Sequence, residues 1–212
     1  MTRKATIKRL TNETEIELEL RRRSISRTVA SVVTRVEVNP EDPSFNSPEK
    51  PIGRPREDGT RRLVPSPPPM EILDIPVIEA LLNLGVVIVA CGGGGIPMIR
   101  EGGITRGVEA VVDKDLCTAL LAERIAAKRM VIVTDVDGVK SNYRSAEERL
   151  VRKIGANELR GRLQNGEYPT GSMEPKIRAV LQFIDVTGGT AAIGALGQLS
   201  ALVKGEAGTQ IH

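Results

Sequence analysis

The amino-acid sequence predicts an α/β protein: a three-layer αβα sandwich with a mostly parallel sheet between two layers of helices. Three observations predict it. Short continuous apolar runs, "VVIVA" (86–90) and "MVIVT" (130–134), have the composition of strands buried on both faces. Segments with helical apolar spacing alternate with them in β-α-β-α order. Each run also ends in a glycine- or aspartate-rich turn, where sheets of this type meet their ligands.

In chain order, "TEIELEL" (14–20) alternates strictly, placing Ile16, Leu18 and Leu20 on one side as in a half-buried strand, and the following "RRRSI" would equally end a helix. "TVASVVTRVEV" (28–38) is rich in β-branched residues and reads as one strand. The prolines of "NPEDPSFNSPEKPIGRP" (39–55) argue against a regular element there and predict an irregular excursion or small flap. "EILDIPVIEALLNLG" (71–85) has helical spacing, with Pro76 in the first turn and Gly85 as its stop. After strand 86–90, "DKDLCTALLAERIAA" (113–127) is a helix opened by an aspartate cap. "MVIVTDVDGV" (130–139) is a buried strand and polar turn, "NELRGRLQNG" and "SMEPKIRAVLQFIDVTGG" are helices, and "TAAIGAL" begins a last strand and helix before "GTQI".

The 212 residues are 40% apolar and 27% charged, the balance of a globular protein with a sizeable aliphatic core. With no Trp, two Phe and two Tyr, surfaces for stacking bases are scarce, and the net charge of +3 comes largely from local clusters at Arg21–Arg23 and Arg61–Arg62. We therefore expect no nucleic-acid partner; small anionic substrates suit the charge equally well. No apolar run approaches the ~20 residues of a membrane span, and the N-terminus has no secretory apolar core, so no membrane partner is expected either. Cys91 and Cys117 lack the spacing of a zinc site or disulfide framework, and there is a single His, so no metal site is assigned to the chain itself. The two thiols read as small buried hydrophobes in a reduced, cytoplasmic setting.

Five stretches carry chemistry. Gly92, Gly93, Gly94 and Gly95 follow a buried strand, where a loop without Cβ atoms either cradles an anion with backbone N–H groups or simply turns tightly. In "VVDKDL", Lys114 sits between two aspartates at a helix start, either a solvated cap or a cation facing a transferring phosphoryl group with Asp115 beside it. Thr134, Asp135, Val136 and Asp137 end a strand, suited to a nucleotide or to a plain turn. Gly171, Ser172 and Met173 open a helix with Lys176 one turn in, which makes an anion site or an ordinary N-cap. Lys50 lies in the proline-rich excursion, where a rigid loop would hold it over a cleft.

Taken in order, "TRVEVNPEDPSFNSPEKPIG", "RRLVPSPPP", "VVIVACGGGGIP", "GVEAVVDKDL", "VIVTDVDGVKSNY" and "GSMEPK" resemble carbamate kinases, members of the amino-acid kinase fold family. The resemblance runs from about Leu20 to the end. It implies reversible phosphoryl transfer between carbamoyl phosphate and ADP with Mg²⁺, giving ATP and carbamate in arginine breakdown, by a cytoplasmic homodimer. It further implies that Lys50, in a protruding subdomain, closes over the acceptor, that Lys114 and Lys176 meet the phosphoryl group, and that Asp115 organises the lysines. Thr134 to Asp137 and Gly171 to Met173 would line the nucleotide, and Gly92 to Gly95 would form a loop at the transfer site. The domains expected are an atypical segment 1–20, a remnant of an N-terminal lobe with its protrusion at 21–62, and a nucleotide-binding lobe at 63–212.

Two departures stand against the resemblance. The family's opening glycine-asparagine loops of G-G-N-A and H-G-N-G type are absent, so the chain reads as N-terminally truncated, and "RKATIKRLTNETEIELEL" more nearly resembles, over a short stretch, the opening strands of imidazoleglycerol-phosphate dehydratase. An inactive nucleotide-binding remnant or assembly module is the alternative this raises. The second departure is Glu174, a carboxylate near Lys176 where the family commonly has glycine.

Overall fold

The computed structural model describes residues 28–212, so the strand expected at 14–20, the arginines at 21–23 and the segment 1–20 lie outside the described residues. The α/β expectation is met: among the described residues, five α-helices alternate with short strands. Parallel pairing joins strands linked by helical crossovers. Thus β9 (Arg129–Thr134) lies parallel to β13 (Thr190–Ala195), and β2 (Arg35–Val38) lies parallel to β7 (Ile96–Glu101). Antiparallel neighbours complete two four-stranded sheets, in the orders β5-β2-β7-β8 and β12-β14-β13-β9. Here β5 is Pro69–Ile72, β8 Ile104–Gly107, β12 Lys153–Ile154 and β14 Thr209–Ile211.

The single strand expected over 28–38 is two. β1 (Val29–Ser31) pairs with β6 (Val87–Val89), while β2 joins the other sheet. The break lies at Thr34, a buried residue whose hydroxyl donates to Val32 O (3.0 Å) and accepts from Cys91 N (2.8 Å). This non-local bond fixes a bend that strand propensity cannot foresee. β6 is less buried than its apolar run suggests, because among the described residues it pairs with β1 alone; Val87 is 37% exposed, and Val77 and Leu84, in and just after helix α1 (Ile75–Asn83), are exposed beside it. The proline-rich excursion is also more regular than expected. β3 (Lys50–Ile52) and β4 (Arg62–Val64) form an antiparallel hairpin, with Pro51 tolerated in a two-stranded ribbon.

Helix α1 begins four residues after Glu71, with proline in its first turn, and Gly85 follows it in the left-handed region. Helix α2 (Lys114–Arg124) starts where the sequence placed it: Asp113 accepts hydrogen bonds from the N–H groups of Asp115 and Leu116. This helix joins two cores. Its Ala119 and Ala122 pack with Ile132, Leu159, Ile177, Val180, Phe183 and Ile193, from the β9–β13 sheet and helices α3 (Ala156–Gln164) and α4 (Met173–Thr187). Its Cys117 and Leu120 pack with Val36, Ile72, Ile78, Ile99 and Val112. Cys91 and Cys117 are both buried and unbridged, and a hydrogen bond to Cys91, reinforced by burial, keeps the Cys117 thiol protonated far above the usual range.

At the entry to β2, Asp74 accepts from the Arg35 N–H (2.7 Å) and from its guanidinium Nη2 (2.6 Å) and Nε (3.2 Å). The Arg35 hydrogen bonds hold the Asp74 pKa below its ordinary value. Because the folded-state pKa is the depressed one, this pair stabilises the fold above the unfolded-state value of about 3.9 and ceases to do so as pH falls through the folded value. Asp74→Asn is expected to lower stability at neutral pH by about 1 kcal/mol, a modest figure because Arg35 is half exposed. Thermal melts between pH 7 and pH 3 check this: the variant's melting temperature should fall less steeply on the acid side than that of the parent protein.

Candidate active site

The cavity beyond the carboxyl end of β9 has a volume of about 380 Å³. Four separate parts of the chain supply its cations: Lys50 from β3, Lys114 from the start of α2, Lys140 from the short strand β10 (Lys140–Ser141), and Lys176 from the first turn of α4. Ammonium groups gathered at one concave site describe a receptor for a polyanion.

Two aspartates lie against two of these lysines. Lys176 Nζ donates to Asp115 Oδ2 at 2.9 Å, both side chains being mostly buried. An ammonium has three donors, so two remain for a ligand. Lys50 Nζ lies 3.5 Å from Asp113 Oδ2. Lys140, by contrast, is occupied: Glu148 accepts from it at 2.8 Å and Asp137 stands at 3.9 Å. The Glu148 hydrogen bond raises the Lys140 pKa and keeps it charged.

The start of α4 forms another wall. Ser172 sits at its N-cap without bonding through its side chain, so the ordinary N-cap reading is not what its hydroxyl does. Ser172 N and Glu174 N donate to Pro169 O and Pro175 has no N–H, so this helix end favours an anion only through the backbone donors that remain. Glu174, the carboxylate of concern beside Lys176, accepts instead from Arg178 Nε at 2.8 Å one turn along the helix. Thr134 Oγ1 donates to Asp135 Oδ1 at 3.0 Å, so this turn is not closed by aspartate side chains on their own backbone.

Of the residues the sequence singled out, Lys50, Lys114, Asp115, Thr134, Asp135, Val136, Gly171, Ser172, Met173 and Lys176 line this one cavity. Asp137 does not, being directed to Lys140, and neither do Gly92, Gly93, Gly94 and Gly95. Two of these glycines are closely packed, whereas nothing lies within 4 Å of a Cβ on Gly92 or Gly93. A Cβ on Gly94 would sit 1.9 Å from Val112 O, and one on Gly95 would sit 2.5 Å from Val36 Cγ2. The Gly94 and Gly95 N–H groups are also committed, to Cys91 O and Gly92 O. The turn thus packs directly against Val112, the residue before Asp113.

From the sequence Asp113 is a helix cap or an orienting carboxylate without a named partner, and no role attaches to Lys140, Tyr143 or Tyr168, which also line the cavity. Lys140 and Tyr143 lie within the quoted stretch "VIVTDVDGVKSNY", the one signal that marks them. Tyr168 is buried, which raises its pKa, and its hydroxyl has no hydrogen-bond partner among the described residues. No group of three His, Cys, Asp or Glu able to hold a metal occurs among the described residues. The donor set fits phosphate groups, and a magnesium ion would be held here chiefly through phosphate oxygens and water, as that ion commonly is.

Residues 18–194 match the model of the amino acid kinase family. The carbamate kinase of Thermoplasma volcanium is 39% identical over 206 residues, covering 89% of this chain and 68% of the relative. That of Thermococcus kodakarensis is 37% identical over 213 residues, covering 91% and 68%. Among solved structures, carbamate kinase from Giardia lamblia bound to AMP-PNP superimposes with a TM-score of 0.82 at 34% identity, covering 87% of this chain and 65% of that one. The chain thus spans about two thirds of the length of these relatives. It belongs to the amino acid kinase family and, within that family, to the carbamate kinases.

Proposed function

We propose that this chain transfers a phosphoryl group reversibly between carbamoyl phosphate and ADP, giving ATP and carbamate. In the forward step the bond from phosphorus to the carbamoyl oxygen breaks, a bond to a terminal β-phosphate oxygen of ADP forms, and carbamate leaves. The observation that carries the reading is the convergence of Lys50, Lys114 and Lys176 on one cavity with Asp115 against Lys176. Such a transfer asks the protein mainly for positioning and for positive charge on the moving group's oxygens. Lys176, held by Asp115, and Lys114, one residue away on α2, would meet the phosphates; Lys50, on the hairpin, would meet the acyl end. Thr134, Asp135 and Val136, with Gly171, Ser172 and Met173, would border the nucleotide, for which the AMP-PNP complex of the Giardia relative is the parallel. Mg²⁺ would accompany the nucleotide and neutralise phosphate charge. The family resemblance alone extends the reading to arginine breakdown, a cytoplasmic location and a homodimer.

The test is a coupled assay for ATP formation from carbamoyl phosphate and MgADP, run beside a thermal-shift titration. At MgADP a hundredfold above its Kd, binding to the folded state is expected to add about 2.7 kcal/mol, or roughly 5–10 °C for a chain of this size. ATP production supports the full reading. A thermal shift without ATP overturns transfer and leaves nucleotide binding, while a folded sample with neither overturns both.

A further inference from the structure

The carboxylate of Asp113 faces two elements with its two oxygens. Oδ1 accepts from the N–H groups of Asp115 and Leu116, at 2.8 and 3.3 Å, and so starts α2. Oδ2 is turned to Lys50 Nζ, 3.5 Å away. Lys50 stands at the base of the β3–β4 hairpin, opposite the buried Val64. Just beyond Val64 the hairpin is tied to the segment that leads into Asp113: Val111 N donates to Pro65 O, and Ser66 Oγ donates to Val111 O, each at 2.9 Å.

We propose that Asp113 is a positioning residue for Lys50, holding the hairpin's ammonium in register with Lys114 and Asp115; this rests on the reading that Lys50 meets the transferring group. Two backbone bonds immobilise one oxygen, so helix α2 itself fixes where the other stands. A lysine stem is flexible and its ammonium is a point charge, so a fixed anion beside it narrows where the charge dwells. At 3.5 Å the pair is beyond a good hydrogen bond, which leaves the ammonium donors for an incoming oxyanion. One helix start thereby registers three groups: Lys114 and Asp115 by covalent position, and Lys50 by charge. Gly94 packs on the carbonyl of Val112, the residue that precedes Asp113.

The test separates the cap from the positioning role. In Asp113→Asn the side-chain carbonyl still caps α2, since Asn and Asp cap about equally well, but the charge facing Lys50 is gone. Asp113→Ser also caps and no longer reaches Lys50. Both variants are expected to keep α2 amide protection while amide exchange at Lys50, Ile52 and Arg62–Val64 accelerates about two- to fivefold, the range for a partly exposed ion pair. In the parent protein, raising salt from 0.05 to 1 M should reproduce part of that acceleration, because the pair is screened. In the ATP-forming assay, both variants should lower kcat about tenfold without raising KM for carbamoyl phosphate, because removing a carboxylate does not weaken anion capture. Unchanged hairpin exchange overturns the positioning role, as does loss of α2 protection along with the hairpin's in both variants, or an unaltered kcat. If the parent protein forms no ATP, the proposed transfer fails while the exchange measurement still decides how Asp113 and Lys50 are coupled.

Discussion

Lys176→Met should lower the rate of ATP formation about 10²–10³-fold, the loss typical of removing one preorganised electrostatic contact to a transition state. Methionine keeps the length and the helix preference of the side chain, so α4 and its packing through Ile177 and Val180 should persist. The change also leaves the Asp115 carboxylate, 12% exposed, without the ammonium that donates to it at 2.9 Å. That should cost about 2 kcal/mol of stability, less than for a dry interior because the cavity admits water. The double variant Lys176→Met/Asp115→Asn separates the effects: it should recover most of the lost stability and none of the lost rate. Melting temperatures and initial rates on the same samples check both parts. Recovery of activity by the double variant would contradict the assignment of Lys176 to the moving group.

Substituting the four glycines of the 92–95 turn one at a time should give graded losses, with Gly94→Ala the most severe. A methyl group there would lie 1.9 Å from Val112 O, and the residue sits at φ +95°, so both space and backbone oppose it. We expect a loss of about 3–5 kcal/mol, a fall near 10 °C in melting temperature for a chain of this length. Gly92→Ala is the internal control. Nothing lies within 4 Å of its Cβ position and its φ is not positive, so it should change stability by under about 1 kcal/mol. Gly93, at φ +69° in open space, should fall between them. Because Val112 precedes Asp113, whatever Gly94→Ala displaces also displaces the start of α2, and MgADP binding should weaken in the same order as stability.

Where a feature depends on neighbours in sequence, it was readable in advance. The cap of α2, the proline in the first turn of α1 and the existence of the helices α1 to α4 follow from spacing within a few residues, whereas strands such as β7 and β8 carry no such signal. The convergence of Lys50, Lys114 and Lys176 came instead from a family resemblance, since nothing in their spacing brings residues 126 positions apart to one place. The features that escaped are non-local. Thr34 splits an apparently continuous strand because its hydroxyl meets a backbone N–H 57 residues away. Lys50–Ile52 becomes a strand because Arg62–Val64 returns beside it. The glycine run by itself suits a ligand or a tight turn, and only tertiary packing shows that Gly94 and Gly95 stand against Val112 and Val36. Asp113 was legible as a cap and illegible as a partner of Lys50, because one oxygen answers to local sequence and the other to the fold.

Helix α2 contributes side chains to both hydrophobic clusters while its first turn carries Lys114 and Asp115. It acts as a rivet through two plates. Slack in either plate tilts the rivet's head, so the electrostatic site has no mechanical independence from either hydrophobic cluster. A conservative trim of Ile193 on one side or Ile99 on the other would reach the ammonium groups of the cavity through the same rigid rod.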